Sequence, residues 1–206
     1  MTMLSRNDQK GRSMVEMLGV LAIIGVLSVG GISGYSKAMA KFKLTKAQDQ
    51  ITMLLMNIRT AFATSPSYDG LNTSNSRAFN IAPGDMWDAA SGLNNAFGGK
   101  AYVYACDEAT EDALGALTCK GVDGTIDGDN TVQYFAVTLT RLGREACVSL
   151  ASSDWGTDGL IGMAVKDEGG DAGTPNAARS LPINMIQAGE QCGDSGSYNT
   201  ITWVYY

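Results

Sequence analysis

The chain has 206 residues, no histidine, and a formal charge of −6 from 15 basic and 21 acidic side chains. The absence of histidine removes Ser-His-Asp and Cys-His nucleophile systems, together with a common zinc ligand. Residues 1–46 hold seven basic side chains against Asp8 and Glu16, so residues 47–206 hold 8 basic (15 less 7) and 19 acidic (21 less 2) groups. An acidic body argues against nucleic acid as a partner, since phosphate binding needs clustered Lys and Arg. The length fits one globular domain with an attached segment better than two full domains.

Residues 1–11 are polar and basic and end in Gly11. A single acid, Glu16, follows, and then residues 17–36 carry no charge, the length of one helical membrane crossing. Three readings compete. A cleaved secretory signal has a shorter apolar run and a small-x-small cleavage site, which this stretch lacks. A plain single-pass anchor accounts for the length and for the lysines that begin at Lys37. It leaves Glu16 unexplained, because a charge in hydrocarbon is costly. It also leaves five glycines in so short a helix (Gly19, Gly25, Gly30, Gly31, Gly34), although glycine is common in membrane helices.

The third reading rests on Gly11-Arg-Ser-Met-Val-Glu16 followed by the apolar run. This resembles the class III leader motif of type IV pilins and pseudopilins. The resemblance implies that a prepilin peptidase removes residues 1–11, leaving 195 residues (206 less 11), and methylates the new N-terminus at Arg12. It puts Glu16 at the fifth mature position. There its carboxylate is expected to pair with the free amine of an incoming subunit and set the axial register, since a buried charge needs a partner. Arg12 departs from the family pattern, which usually has Phe, Met or Leu at that place. Lysines beyond the crossing are at least as numerous as the basic residues before it, so charge alone does not orient the segment. The resemblance and the cysteines imply a cytoplasmic N-terminus.

Helical periodicity continues through Leu44, Ala47, Ile51, Leu54 or Leu55, Ile58 and Phe62, with Gln48, Asp49, Asn57 and Arg59 between them. One helix is expected over residues 13–64, apolar all round in its first half and amphipathic in its second, ended by Ser65-Pro66. Two helices broken at the Gly30–Gly34 cluster are the alternative, since Gly and Ser are poor helix formers in water. Residues 65–130 are rich in turn residues yet too long for one bare loop. Within them a short helix is expected at Asp85-Met-Trp87-Asp-Ala-Ala, a strand at residues 100–106, and turns over 118–128.

Residues 131–140 (TVQYFAVTLT) alternate with both faces largely apolar, which predicts a central strand. One face carries Val132, Tyr134, Ala136 and Thr138, the other Gln133, Phe135, Val137 and Leu139. A helix is expected over 142–153, with Leu142, Ala146, Cys147 and Leu150 on one face. A strand follows at 159–166, a loop at 167–176, a short helix at 181–187 with Pro182 near its start, and a closing aromatic strand at 199–206.

Cys106, Cys119, Cys147 and Cys192 are even in number and all lie beyond the apolar run, which reads as disulfides in an oxidising compartment. A four-cysteine zinc site is the rival, but no C-x-x-C pair is present. The spacing admits three connectivities. The strand, the helix with Cys147, and Cys192 ahead of the last strand are similar to the C-terminal half of type IVb pilins, the toxin-coregulated and conjugative thin pilus kinds. That resemblance implies a Cys147–Cys192 bond and leaves Cys106 with Cys119.

Asp123, Asp127 and Asp129 in a Gly-rich stretch have the look of a calcium loop, but the bidentate Glu of such loops is missing and a solvated turn is the plainer reading. Trp87, Trp155, Trp203, Tyr205 and Tyr206 read as packing residues before ligand contacts. The expected fold is α+β, the type IV pilin fold: a leader over 1–11, a long helix over 12–64 that crosses a membrane at about 17–36, and a head over 65–206 with an antiparallel or mixed sheet. The expected protein is no enzyme and needs no cofactor. It is a pilus subunit, held in the bacterial inner membrane with its head in the periplasm and then polymerised into an extracellular helical homopolymer for adhesion, aggregation or conjugation. Its partners would be its own copies, the prepilin peptidase, the inner-membrane assembly machinery and, before assembly, membrane lipid. A minor pilin, a type II secretion pseudopilin and, more remotely, a membrane-anchored periplasmic enzyme or binding protein are the alternatives.

Overall fold

The computed structural model describes residues 14–89, 92–111, 117–121, 133–156, 159–167, 176–177, 181–193 and 198–206, with 107–111, 117–121 and 176–177 described by backbone alone. The chain divides into two compact units between Lys41 and Phe42.

The first unit is the opening part of α1 (Met14–Ala61). Glu16 lies in its first turn, where a negative charge is favoured by the exposed N–H groups and the helix dipole. The Gly30-Gly31 pair does not break the helix, so the two-helix alternative is not what forms. Ser36 turns its hydroxyl back onto the Ile32 carbonyl at 3.0 Å instead of interrupting the ladder.

In the second unit α1 buries Ala47, Gln50, Ile51, Leu54 and Ile58, a stripe with steps of three and four residues. The helix ends at Ala61, slightly ahead of the expected end at residue 64, and a turn in which the Ser65 N–H donates to the Phe62 carbonyl carries the chain toward Pro66. The stripe shares one core with Val103, Phe135, Val137, Leu139, Met163, Val165, Ile201 and Trp203, which come from the sheet.

The sheet contains β1 (Leu93–Asn94), β2 (Lys100–Glu111), β3 (Leu117–Gly121), β4 (Tyr134–Leu142), β5 (Leu160–Asp167), β6 (Asn176–Ala177) and β7 (Asn199–Tyr205). Their order is β1-β2-β4-β7-β5-β6, with β3 also paired to β2, and every described pairing is antiparallel. β4 is central, as its two apolar faces demand. Phe135, Val137 and Leu139 point to the helix side, while Ala136 joins Cys106 and Val204 in a smaller cluster. Thr138 and Thr202, opposite each other on β4 and β7, share a hydrogen bond of 2.8 Å.

Two short helices complete the head, α2 (Arg144–Ala151) and α3 (Met185–Gln191). Several expectations need correction. Leu142 ends β4 instead of opening α2, after a bulge where Arg141 takes φ 58°. The helix expected at 181–187 starts only after Asn184, whose side chain accepts from the Ile186 and Gln187 N–H groups while Gln187 returns a bond to the cap, a full capping box. The helix expected at Asp85 shrinks to a 3-10 turn, Gly84–Met86, because Trp87 turns extended and ties its indole N–H to the Ala82 carbonyl at 3.2 Å. Where turns were expected over 118–128, Leu117–Gly121 pairs with β2 as a strand; residues 122–128 are outside the described set.

Candidate assembly helix and cysteine-bounded face

The apolar part of α1 has a mean hydropathy of 2.2 over its best 18-residue window, and none of that window is buried within the chain. A helix apolar on every side needs lipid or other helices around it. Its five glycines have nothing within 4 Å of where a Cβ would stand. Gly30 and Gly34, one turn apart, leave a backbone surface that another helix can approach closely. Glu16 is exposed at the start of this segment. Gly11 and Arg12, expected to be the processing site, lie outside the described residues.

The second feature is the face bounded by the cysteines. Cys147, on α2, is bonded to Cys192, the C-terminal cap of α3, with Cα atoms 6.0 Å apart. Both are buried. The bond encloses β5, β6 and α3, and α3 presents Met185 and Ile186 to solvent at 69% and 75% exposure. Cys106 is also disulfide-bonded. The side chain of Cys119, and with it the expected Cys106–Cys119 pairing, lies outside the described residues; by backbone, β3 runs beside β2 with Ala109 opposite Cys119. The calcium candidates Asp123, Asp127 and Asp129 also lie outside the described residues. Among the described residues no group of three His, Cys, Asp or Glu side chains is placed to hold a metal.

The third feature went unnoticed in the sequence. Residues 65–99 are fastened to α1 by polar side chains that looked solvent-facing. The Asn57 amide donates to the Ile81 carbonyl at 2.7 Å, and Gln50 accepts from the Ala96 N–H at 3.0 Å. Lys46 pairs with Asp85 at 2.7 Å, and the hydrogen bond from Lys46 holds the Asp85 carboxyl below the ordinary carboxylate range. Asn95 uses its whole amide: it donates to the Lys100 and Thr140 carbonyls and accepts from the Phe97 and Gly99 N–H groups. Gly99 is required here, since a Cβ would stand 2.1 Å from the Thr140 carbonyl oxygen. The sequence signal for these contacts is faint: an amide between apolar positions looks the same whether it meets water or a backbone carbonyl.

Of the aromatic residues, Trp203 and Tyr205 are buried, and Trp155 packs edge-on to Trp203 at 5.0 Å. Trp87 is half-buried beneath the Arg77 guanidinium. Tyr206 stays exposed and helps line an open cleft of about 240 Å³ with Phe62, Ser67, Tyr68 and Gln133.

No family model matches the chain. It is 25% identical over 206 residues to the major structural subunit of bundle-forming pilus from Escherichia coli O111:H-, covering 97% of this chain and 96% of that one. The same identity and coverage hold for the subunit from Escherichia coli O127:H6 (strain E2348/69 / EPEC). Two solved structures superpose in part. The type IV b pilin from Salmonella typhi gives a TM-score of 0.47 at 20% identity, over 79% of this chain and 97% of that one. TcpA, a type IV pilin from Vibrio cholerae El Tor biotype, gives 0.45 at 13% identity, over 80% and 99%. With the Gly11–Glu16 motif and a helix apolar on every side, the chain shares an end-to-end likeness with major structural subunits of a bundle-forming pilus.

Proposed function

We propose that this chain polymerises into a type IV pilus as its major subunit, after a prepilin peptidase removes residues 1–11 and methylates Arg12. The observation that carries the reading is the likeness to major structural subunits along nearly the whole of both chains. The helix Met14–Ala61 then serves two stages. Residues 17–36 first hold the subunit in the inner membrane as a single pass, with the head 65–206 in the periplasm. The inner-membrane assembly machinery next moves that segment from lipid into a bundle of like helices. Lipid is as apolar as the segment, so close packing at Gly30 and Gly34 and the pairing of Glu16 with a neighbour's amine supply the preference for the bundle. Cys106–Cys119 closes the second cross-link of the head. The filament serves adhesion, aggregation or conjugation, and the role is structural rather than enzymatic.

Intact mass of sheared surface filaments tests the reading. The expected mass is that of the chain from Arg12 onward plus one methyl group, with this protein as the bulk of the material under the electron microscope. An uncleaved chain sinks the processing claim; a trace component in filaments made of another protein makes it a minor pilin or pseudopilin. In cells expressing wild-type and Glu16→Ala subunits together, Glu16→Ala is expected to be excluded at least about tenfold, the effect of about 1.4 kcal/mol. Equal incorporation removes Glu16 from the assembly contact.

A further inference from the structure

α2 begins with a cation, Arg144, at the end of a helix where a positive charge is disfavoured. The reason lies across the head. Arg144 Nη1 donates to the Cys192 carbonyl at 2.9 Å and Nη2 to the Gly189 carbonyl at 2.8 Å. These carbonyls belong to the last turn and cap of α3, which has no basic residue of its own there. The end of a helix leaves its final carbonyls without partners and favours a cation. Three residues on, on the same face of α2, stands Cys147, bonded to Cys192. Two side chains of α2 therefore grip one residue, Arg144 by its carbonyl and Cys147 by its sulfur. These two bonds go to carbonyl oxygens, so the grip does not depend on the sulfur bond.

We propose that Arg144 is a positioning residue that seats α3 on α2 before the cross-link closes, and so selects Cys192 as the partner of Cys147. Closure follows ordinary thiol–disulfide exchange. The Cys147 thiolate attacks oxidised glutathione and releases one glutathione thiolate. The Cys192 thiolate then attacks the mixed disulfide at the Cys147 sulfur and releases the second. One protein disulfide forms, glutathione disulfide is reduced by two electrons, and the two protons lost by the cysteines are taken up by the two glutathione thiolates. The two-pronged fork fixes orientation as well as distance, which a lysine does not reproduce.

The full chain, reduced and unfolded and then refolded in detergent micelles with a glutathione redox buffer, provides the test, with connectivity read by peptide mass mapping. Wild type is expected to recover Cys147–Cys192. Arg144→Ala is expected to drift toward an even spread, about one third in each of the three pairings, and Arg144→Lys to recover only part of the loss. Leu150→Ala, a core truncation on the same helix, controls for instability alone and should keep the native pairing. Faithful pairing in Arg144→Ala, or equal scrambling in Leu150→Ala, overturns the proposal. A second measurement does not depend on refolding. In a Cys147→Ser/Cys192→Ser chain, hydrogen exchange at the amides of positions 188 and 192 should stay slow while Arg144 is present and become at least about tenfold faster in Arg144→Ala, a difference of about 1.4 kcal/mol. Fast exchange with Arg144 in place overturns it as well.

Discussion

The two parts of α1 obey the same backbone rules and meet different surroundings. From Phe42 onward the helix buries one stripe, Ala47, Ile51, Leu54 and Ile58, against its own sheet. Before Lys41 it is apolar on every side and buries nothing. The second part is stable because of what the chain itself supplies. The first is a helix whose packing partners lie outside the chain, so its sequence is shaped for lipid and for neighbours. Residues of one chemical type consequently have opposite consequences in the two parts.

A pair of leucines shows the largest contrast. Leu54→Ala opens a cavity in a fully buried core and is expected to lower the unfolding free energy of the head by about 2–5 kcal/mol. Leu27→Ala, on an exposed face, should leave it within about 0.5 kcal/mol. Urea melts followed by tryptophan fluorescence measure both, and equal losses would abolish the distinction. Glycines sharpen it further. Gly99→Ala drives a methyl group into the Thr140 carbonyl and should cost about 1–3 kcal/mol. Gly25→Ala meets open space and a better helix former, so the head melts as before and only filament yield responds.

The smallest effects are electrostatic and confined to the head. Burial pushes the Tyr205 phenol well above its ordinary value, against the opposing pull of Arg59, and its hydroxyl has no hydrogen-bond partner among the described residues. Its folded pKa lies above its unfolded one, so this contribution is complete below about pH 10 and is lost as pH rises beyond it. Asp85 runs the other way. Its folded pKa is depressed, so its contribution is present above about pH 3.9 and is lost as pH falls through the lower folded value. Both partners of Lys46–Asp85 are well exposed, which limits that term to less than about 1 kcal/mol. Melting temperature against pH should have a shallower alkaline limb in Tyr205→Phe, with the part from half-buried Tyr68 remaining, and flatten slightly at the acid end in Asp85→Asn. Tyr205→Phe should also be no less stable than wild type at pH 7, because the hydroxyl it removes is buried and unpaired.

Much was legible because it depends on local pattern. The unbroken helix, the central place of β4 and the closing strand follow from periods of 3.6 and 2 and from which faces are apolar. The misplaced boundaries share a cause. At Asp85 and at Asn184 a side chain committed to a particular backbone group moved or shortened a helix, and propensity does not record which groups meet. The polar staples Asn57, Gln50 and Asn95 were missed for the same reason.

By itself the sequence determined the two-part helix and the strand segments, since these depend on side chains within about two turns of one another, and the presence of cross-links, through the number and placing of its cysteines. The Cys147–Cys192 bond that the resemblance implied forms, but only the tertiary structure decided that β7, the last strand in the chain, lies between β4 and β5, and that Arg144 reaches the Cys192 carbonyl beside that bond. Those contacts join residues 32 or more positions apart. They are selected by the shape of a shared core and by carbonyls left unpaired at a helix end, neither of which exists until the chain has folded.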